Sequence, residues 1–342
     1  MDTRLLLHGF ADADPDAMGT RAAAVEAAGW DGLLLADSQD LTPDVFVALT
    51  VAALATDRLE LGTAVTNPVT RHPAVIASAI ATLHRVSGGR AVLGLGRGDS
   101  ALLQVGLEPQ APAAFERDAA RVRAYLHGET VDEHGYPSAL HWLPATGLPP
   151  VPTQLFVSGP RLTRAAATAG DRVTLVVGAR PERVSERLAT VREARTAAGL
   201  DPDAIDVGAY LIVGIDDDLA RARALVRGNV AIFAHFQRHD TALTPADRVV
   251  VREVTERWQE ATHGVAASAQ ADALTDDFVD HFAVVGDRDA VTGRLRSLLA
   301  LGLDHLVLIG PSRDVAADVA REQEAAILEA ARTAARERSS GS

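Results

Sequence analysis

The residues of this chain that could do chemistry gather where apolar runs end. In RAVLGLGRGDSALLQVG, residues 90–106, Gly94, Gly96 and Gly98 follow such a run, and Asp99 and Ser100 follow the glycines. Nucleotide-binding loops share this look, but the third glycine of a dinucleotide fingerprint would fall on Asp99, and a P-loop needs a lysine that the chain lacks. The remaining reason for so much bare backbone is steric: Gly96 and Gly98 would let a strand end approach a flat ligand, with Asp99 and Ser100 offering polar groups. A tight turn with Asp99 as a helix N-cap is the alternative. In ADSQDLTPD, residues 36–44, Asp37 closes another run with Ser38 beside it, as a site carboxylate or as a turn cap.

Two further segments bear on ligand binding. LGTAVTNPVTRHPAV, residues 61–75, follows a strand-like run with small residues, so Thr63, Ala64 and Val65 could press backbone against a cofactor ring, with Asn67 close behind. FVSGPRLTRAA, residues 156–166, is the phosphate candidate: Ser158, Gly159 and Pro160 lead into a helix whose first turn has unpaired N–H groups and a positive dipole, and Arg161 adds charge. Gly178, closing VTLVVG, is one more cofactor-binding candidate, and His8 ends the first apolar run. The histidines show no HxH or HExxH spacing, so no metal site is expected. No cysteine is present, which excludes thiolate chemistry, and all 33 basic residues are arginine, which excludes a Schiff-base lysine.

These segments need elements that bring them to one place. Short apolar runs alternate with stretches of helical period along almost the whole chain, which implies repeated βα units and a parallel sheet. About eight strands can be counted, so the expected fold is an α/β TIM (β/α)8 barrel, with a doubly wound open sheet as the alternative. In a barrel, Asp37 and Asp99 close different strands at the same C-terminal mouth. The chain is read as one domain over residues 1–335, with insertions near 127–150, where a hairpin is expected, and near 236–282; residues 336–342 are expected to be a disordered tail.

A hydrophobic fraction of 47% with 23% charged residues fits a globular enzyme, and no apolar run nears the roughly 20 residues that span a bilayer. Leu5 to Leu7 is too short a block for a signal-peptide core, so a cytoplasmic location and no membrane partner are expected. The net charge of -13 opposes nucleic-acid binding.

In this order, DGLLLADS, LELGTAVTNPVTRHPAV, SGGRAVLGLGRGDSALLQVG, FVSGPRLTRAAATAGD and FAVVGDRDAV resemble the bacterial luciferase-like flavin/deazaflavin family. The similarity is greatest to members like methylenetetrahydromethanopterin reductase, which use coenzyme F420. The resemblance implies a luciferase-like TIM barrel, a homodimer or higher homo-oligomer, and a cofactor ring at the C-terminal mouth. It further implies a non-prolyl cis peptide at Ala64–Val65 under the ring, the cofactor phosphate on the Ser158-Gly159-Pro160 turn, and Asp37 and Asp99 at acidic active-site positions. Two positions depart from the pattern: His8 stands where the methanopterin reductases carry Glu, and Ser38 stands where a His is common. Both point away from methanopterin as the substrate.

The implied activity is hydride transfer between reduced F420 and an electron-poor C=N or C=C bond of a small-molecule substrate, with Asp99, His8 or water donating a proton. An FMN-dependent monooxygenase of the same family is the chief alternative, and a catalytically silent flavin-binding protein is the second.

Overall fold

Apolar runs of four to ten residues become the strands of the main sheet, and the two strands of a separate hairpin are shorter. The computed structural model describes residues 3–240 and 242–340. Its strands are β1 Arg4–Gly9, β2 Gly32–Leu35, β3 Glu60–Thr63, β4 Ala91–Leu95, β5 Val131–Glu133, β6 Tyr136–Ser138, β7 Thr153–Val157, β8 Arg172–Leu175, β9 Asp206–Ile215, β10 Ala283–Gly286 and β11 His305–Ile309. Every residue of β2, β4, β10 and β11 is buried, as expected of parallel strands covered on both faces.

The helices between them are α1 Pro15–Ala28, α2 Val45–Leu54, α3 Pro73–Val86, α4 Ser100–Leu103, α5 Pro112–Leu126, α6 Pro160–Ala169 and α7 Pro181–Ala197. The later ones are α8 Leu219–Phe236, α9 Pro245–Glu256, α10 Ala269–Asp272, α11 Asp276–Phe282, α12 Arg288–Leu299 and α13 Ala317–Ser340. Their starts are written locally. Asp14, Asp44, Asp218 and Asp287 accept hydrogen bonds from the first-turn amides of α1, α2, α8 and α12. Proline occupies the first turn of α1, α3, α5, α6 and α9, where its missing N–H costs nothing.

The chain forms two compact units that interleave in sequence. One comprises Leu6–Thr174 and Thr190–Asp206. In it β1, β2, β3, β4 and β7 pair in that order, all parallel, with Leu6 opposite Gly32, Gly32 opposite Glu60, Leu61 opposite Ala91 and Leu93 opposite Thr153. Their C-terminal ends therefore share one edge, and that edge carries His8, Asp37, Thr63 and Gly96. The hairpin expected near 127–150 is present as antiparallel β5 and β6.

The other unit comprises Met1–Leu5, Leu175–Ala189 and Val207–Ser342. In it β9 serves two partners: Gly208 to Ile212 pair with β11, and Ile212 to Ile215 pair with β10. The insertion expected near 236–282 contains α9, α10 and α11. The expected disordered tail is instead the last turn of α13 as far as Ser340, where Glu337 binds Arg296 at 2.6 Å. Residues 341–342 lie outside the described residues.

Parallel strands alternating with helices along both units are the α/β arrangement of a luciferase-like (β/α)8 TIM barrel.

Candidate active site

The C-terminal edge of the first unit holds a polar network built on Asp37, two residues past β2. Its Oδ2 accepts the Thr66 hydroxyl at 2.6 Å and pairs with Arg71 Nη1. Arg71 reaches the other way to Asp44 Oδ2 at 2.8 Å, and its guanidinium lies 5.2 Å from the centre of the Phe46 ring. Asp44 meanwhile caps α2 through the amides of Phe46 and Val47. Burial by itself lowers the Arg71 pKa, but the carboxylates of Asp37 and Asp44 outweigh it and raise it. Burial works to raise Asp44, yet Arg71 and the α2 amides hold it below the usual carboxylate range.

Beside this network, residues 63–67 lie along the glycines at and just past the end of β4. A Cβ on Gly94 would run into the Thr63 carbonyl oxygen; on Gly96 it would lie 2.6 Å from Val65 Cγ2, and on Gly98 2.8 Å from Asn67 Cγ. The alternation is regular, the three glycines admitting Thr63, Val65 and Asn67 of the neighbouring segment in turn. The immediate neighbours of Gly96 and Gly98 are thus the chain's own side chains, where the sequence suggested a ligand ring. Thr66 N donates to Gly94 O and Gly96 N to Thr66 O, both at 3.0 Å, while Thr63 Oγ1 donates to Gly94 O at 2.6 Å. The Ala64–Val65 peptide is cis.

Asn67 is buried, and its Oδ1 accepts the amides of Val69 at 3.1 Å and Thr70 at 2.9 Å. Its Nδ2 is also buried and has no hydrogen-bond acceptor among the described residues. Asp99 occupies the N-cap position of α4, but its side chain makes no cap hydrogen bond. Ser100 opens α4. Ser38 Oγ reaches Gln104 Oε1 at 3.3 Å, and Gln39 Nε2 reaches Ala101 O at 2.6 Å, so α4 is tied to the turn after β2.

His8 lies edge-on to Phe10, with ring centres 5.4 Å apart, and burial pulls its pKa from 6.5 to about 4. At neutral pH it is an uncharged imidazole, which can donate a hydrogen bond but is no longer an imidazolium acid. Further along the same edge, Ser158 and Gly159 lead into α6 with Pro160 at its first position. No side chain caps α6, and the space beside Gly159 is open to 4 Å. Arg161, expected to supply charge there, is paired with Glu116 at 3.1 Å.

Gly178 belongs to the other unit. It has φ +82°, and a Cβ at this position would lie 3.0 Å from His281 O and 3.2 Å from Phe282. Around it Arg180 and Asp247 are 3.6 Å apart, His281 Nδ1 lies 3.0 Å from Asp247 Oδ1, and buried Arg183 pairs with buried Asp240 over the Phe282 ring. His281 is in the last turn of α11. Thr66 and the pairing of Arg71 with Asp37 were missed; a Thr just after small residues was their one local signal. Among the described residues no group of three or more His, Asp or Glu could hold a metal, and no helix is long and apolar enough to cross a membrane.

Residues 4–305 match the model of the luciferase-like monooxygenase family, and the chain belongs to that family. It is an oxidoreductase of this F420- and flavin-dependent class. Among curated relatives, it is 31% identical over 311 residues to the 5,10-methylenetetrahydromethanopterin reductase of Methanolobus tindarius, covering 86% of this chain and 91% of the relative. It is also 31% identical over 321 residues to the F420-dependent glucose-6-phosphate dehydrogenase of Beutenbergia cavernae, covering 87% and 88%. The fold is shared with the coenzyme F420 dependent tetrahydromethanopterin reductase of Methanopyrus kandleri, at a TM-score of 0.73 and 22% identity over 96% of this chain and 98% of that one. An F420-dependent secondary alcohol dehydrogenase superposes with a TM-score of 0.75 at 18% identity, covering 97% and 99%.

Proposed function

We propose that this enzyme transfers a hydride between reduced coenzyme F420 and an electron-poor C=N or C=C bond of a small organic molecule. The F420-dependent dehydrogenase relative supports the cofactor, and the reductase relative supports the reaction type.

Asn67 carries the reading within this chain. Its Oδ1 is held by two backbone amides, which fixes the side chain, while its buried Nδ2 lacks an acceptor that a ring carbonyl oxygen would supply. The open, uncapped start of α6 fits a phosphate in the same way, through backbone N–H groups and the helix dipole, with Arg161 already committed to Glu116. The residues that would hold F420 are therefore the 63–67 segment, with Gly96 and Gly98 giving it room, and the Ser158 to Arg161 turn.

When bound in its reduced form, F420 supplies a hydride from a ring carbon, and the substrate also takes up a proton. The chain's task is to hold two partners in reacting geometry and to keep water away. We assign the proton to Asp99, which stands at the start of α4 just past β4, with Ser38 and Gln104 keeping the α4 turn against the end of β2.

Anaerobic mixing of the full chain with reduced F420 and a panel of imines, enones and dehydroamino acids tests this reading. Substrate-dependent return of the visible absorbance of oxidised F420 is expected. Oxygen consumption with reduced FMN, and none of that absorbance with any panel member, would mean the monooxygenase alternative holds.

A further inference from the structure

Asp37 is held as an acceptor from two sides. Its Oδ2 accepts from the Thr66 hydroxyl and from Arg71 Nη1, which engages both in-plane lone pairs of that oxygen and fixes the carboxyl between two elements. Arg71 is fixed from both ends. Asp44 holds Nη2 at 2.8 Å, Phe46 lies under the guanidinium, and Asp44 is itself anchored as the cap of α2. Thr66 is fixed on its far side by backbone hydrogen bonds to Gly94 and Gly96. A continuous chain of contacts thus runs from α2 through Arg71, Asp37 and Thr66 to the end of β4.

From this geometry we infer that Arg71 is a positioning residue: it holds Asp37 as a hydrogen-bond acceptor for Thr66, setting the 63–67 segment for cofactor binding, and Asp37 does not pass the reaction's proton. The inference rests on the F420 reading above and adds to it a division of labour between the two carboxylates. The raised basicity of Arg71 agrees with a guanidinium that stays charged throughout.

The variants Asp37→Asn, Thr66→Val, Arg71→Gln and Arg71→Lys separate the roles. F420 affinity is read by fluorescence without substrate, and kcat and its pH profile are read with reduced F420. Asp37→Asn, Thr66→Val and Arg71→Gln are each expected to weaken F420 binding by about tenfold or more, and the Thr66→Val/Asp37→Asn double variant by no more than the worse single, as for residues acting as one unit. Arg71→Lys should restore part of the affinity, since lysine keeps the charge but loses the fork that reaches both carboxylates. The pH profile of kcat should keep its shape in Asp37→Asn.

A wild-type chain that fails to bind F420 would defeat the functional reading itself. If wild type binds F420 and Asp37→Asn binds equally well, while kcat falls by about a thousandfold and a limb of its pH profile disappears, Asp37 is the acid and this inference is overturned. Equal F420 affinity in Arg71→Gln and wild type overturns it too. A thermal melt of each variant confirms that the folded chain is being compared.

Discussion

Gly96 makes room for Val65: the Cβ that any other residue would carry at position 96 would lie 2.6 Å from Val65 Cγ2. Position 96 is therefore closed by packing, whereas Gly159, with open space to 4 Å, is not. Gly96→Ala should lower stability by about 1–3 kcal/mol, the usual cost of overpacking. Gly159→Ala should leave Tm unchanged and weaken F420 binding, because the added methyl would stand where a phosphate approaches α6. Thermal melts and fluorescence titrations of the two variants check this, and equal melts for both would show that residues 63–67 yield freely.

Acid should weaken the fold through three histidines. Burial holds His8, His235 and His263 each at a pKa of about 4 against 6.5 in an unfolded chain. The unfolded chain takes up these protons first, so their contribution is complete above pH 6.5 and is lost as pH falls towards 4. Urea midpoints should fall across that window, and His235→Gln should flatten the decline. His235 is stacked on Trp258 with ring centres 4.2 Å apart, so Trp fluorescence reports on the same event.

The buried pair of Arg183 and Asp240 should matter more when broken than when removed. Their side chains are 6% and 3% exposed, and burial depresses the Arg183 pKa in spite of Asp240. Asp240→Ala leaves an unpaired buried guanidinium and should cost about 3–5 kcal/mol. The double change Arg183→Met with Asp240→Leu should recover most of that loss in chemical denaturation. A double variant as unstable as Asp240→Ala would show that the attraction itself is the main contribution.

Arg90 should tolerate no lysine. Its guanidinium donates to the carbonyls of Ser87, Leu59, Ala53 and Thr56 at 2.8 to 2.9 Å, fastening the end of α2 to the strand that follows α3. One ammonium cannot reach four acceptors in that fork, so Arg90→Lys should lose about 2 kcal/mol or more. A Tm within a degree or two of wild type would contradict this.

The fold was legible because alternation of apolar runs and helical stretches is a local property, and so were the aspartates and prolines that start the helices. The ordered motifs around Gly96, Asp37 and Ser158 also pointed to the right family. The partners of those residues were not legible. Asp37 and Arg71 are 34 residues apart, and Arg183 and Asp240 are 57 apart, so each pairing exists only once the strands and helices are in place. Gly96 and Gly98 look like space for a ligand because sequence cannot show that Val65 and Asn67 already fill it. The helices of the insertion near 236–282 are hard to read locally because α9 and α11 each bury only one side: Val250, Val251 and Val254 of α9, and Phe278, Val279 and Phe282 of α11. The last turn of α13 was hidden by a Ser-rich composition that usually marks a frayed end.

Cofactor choice is the claim on which the rest depends. The direct test is fluorescence titration of the purified full chain with F420 and, separately, with FMN. Saturable binding of F420, with FMN at least about tenfold weaker, is the expected result; saturable FMN binding with no response to F420 would contradict it.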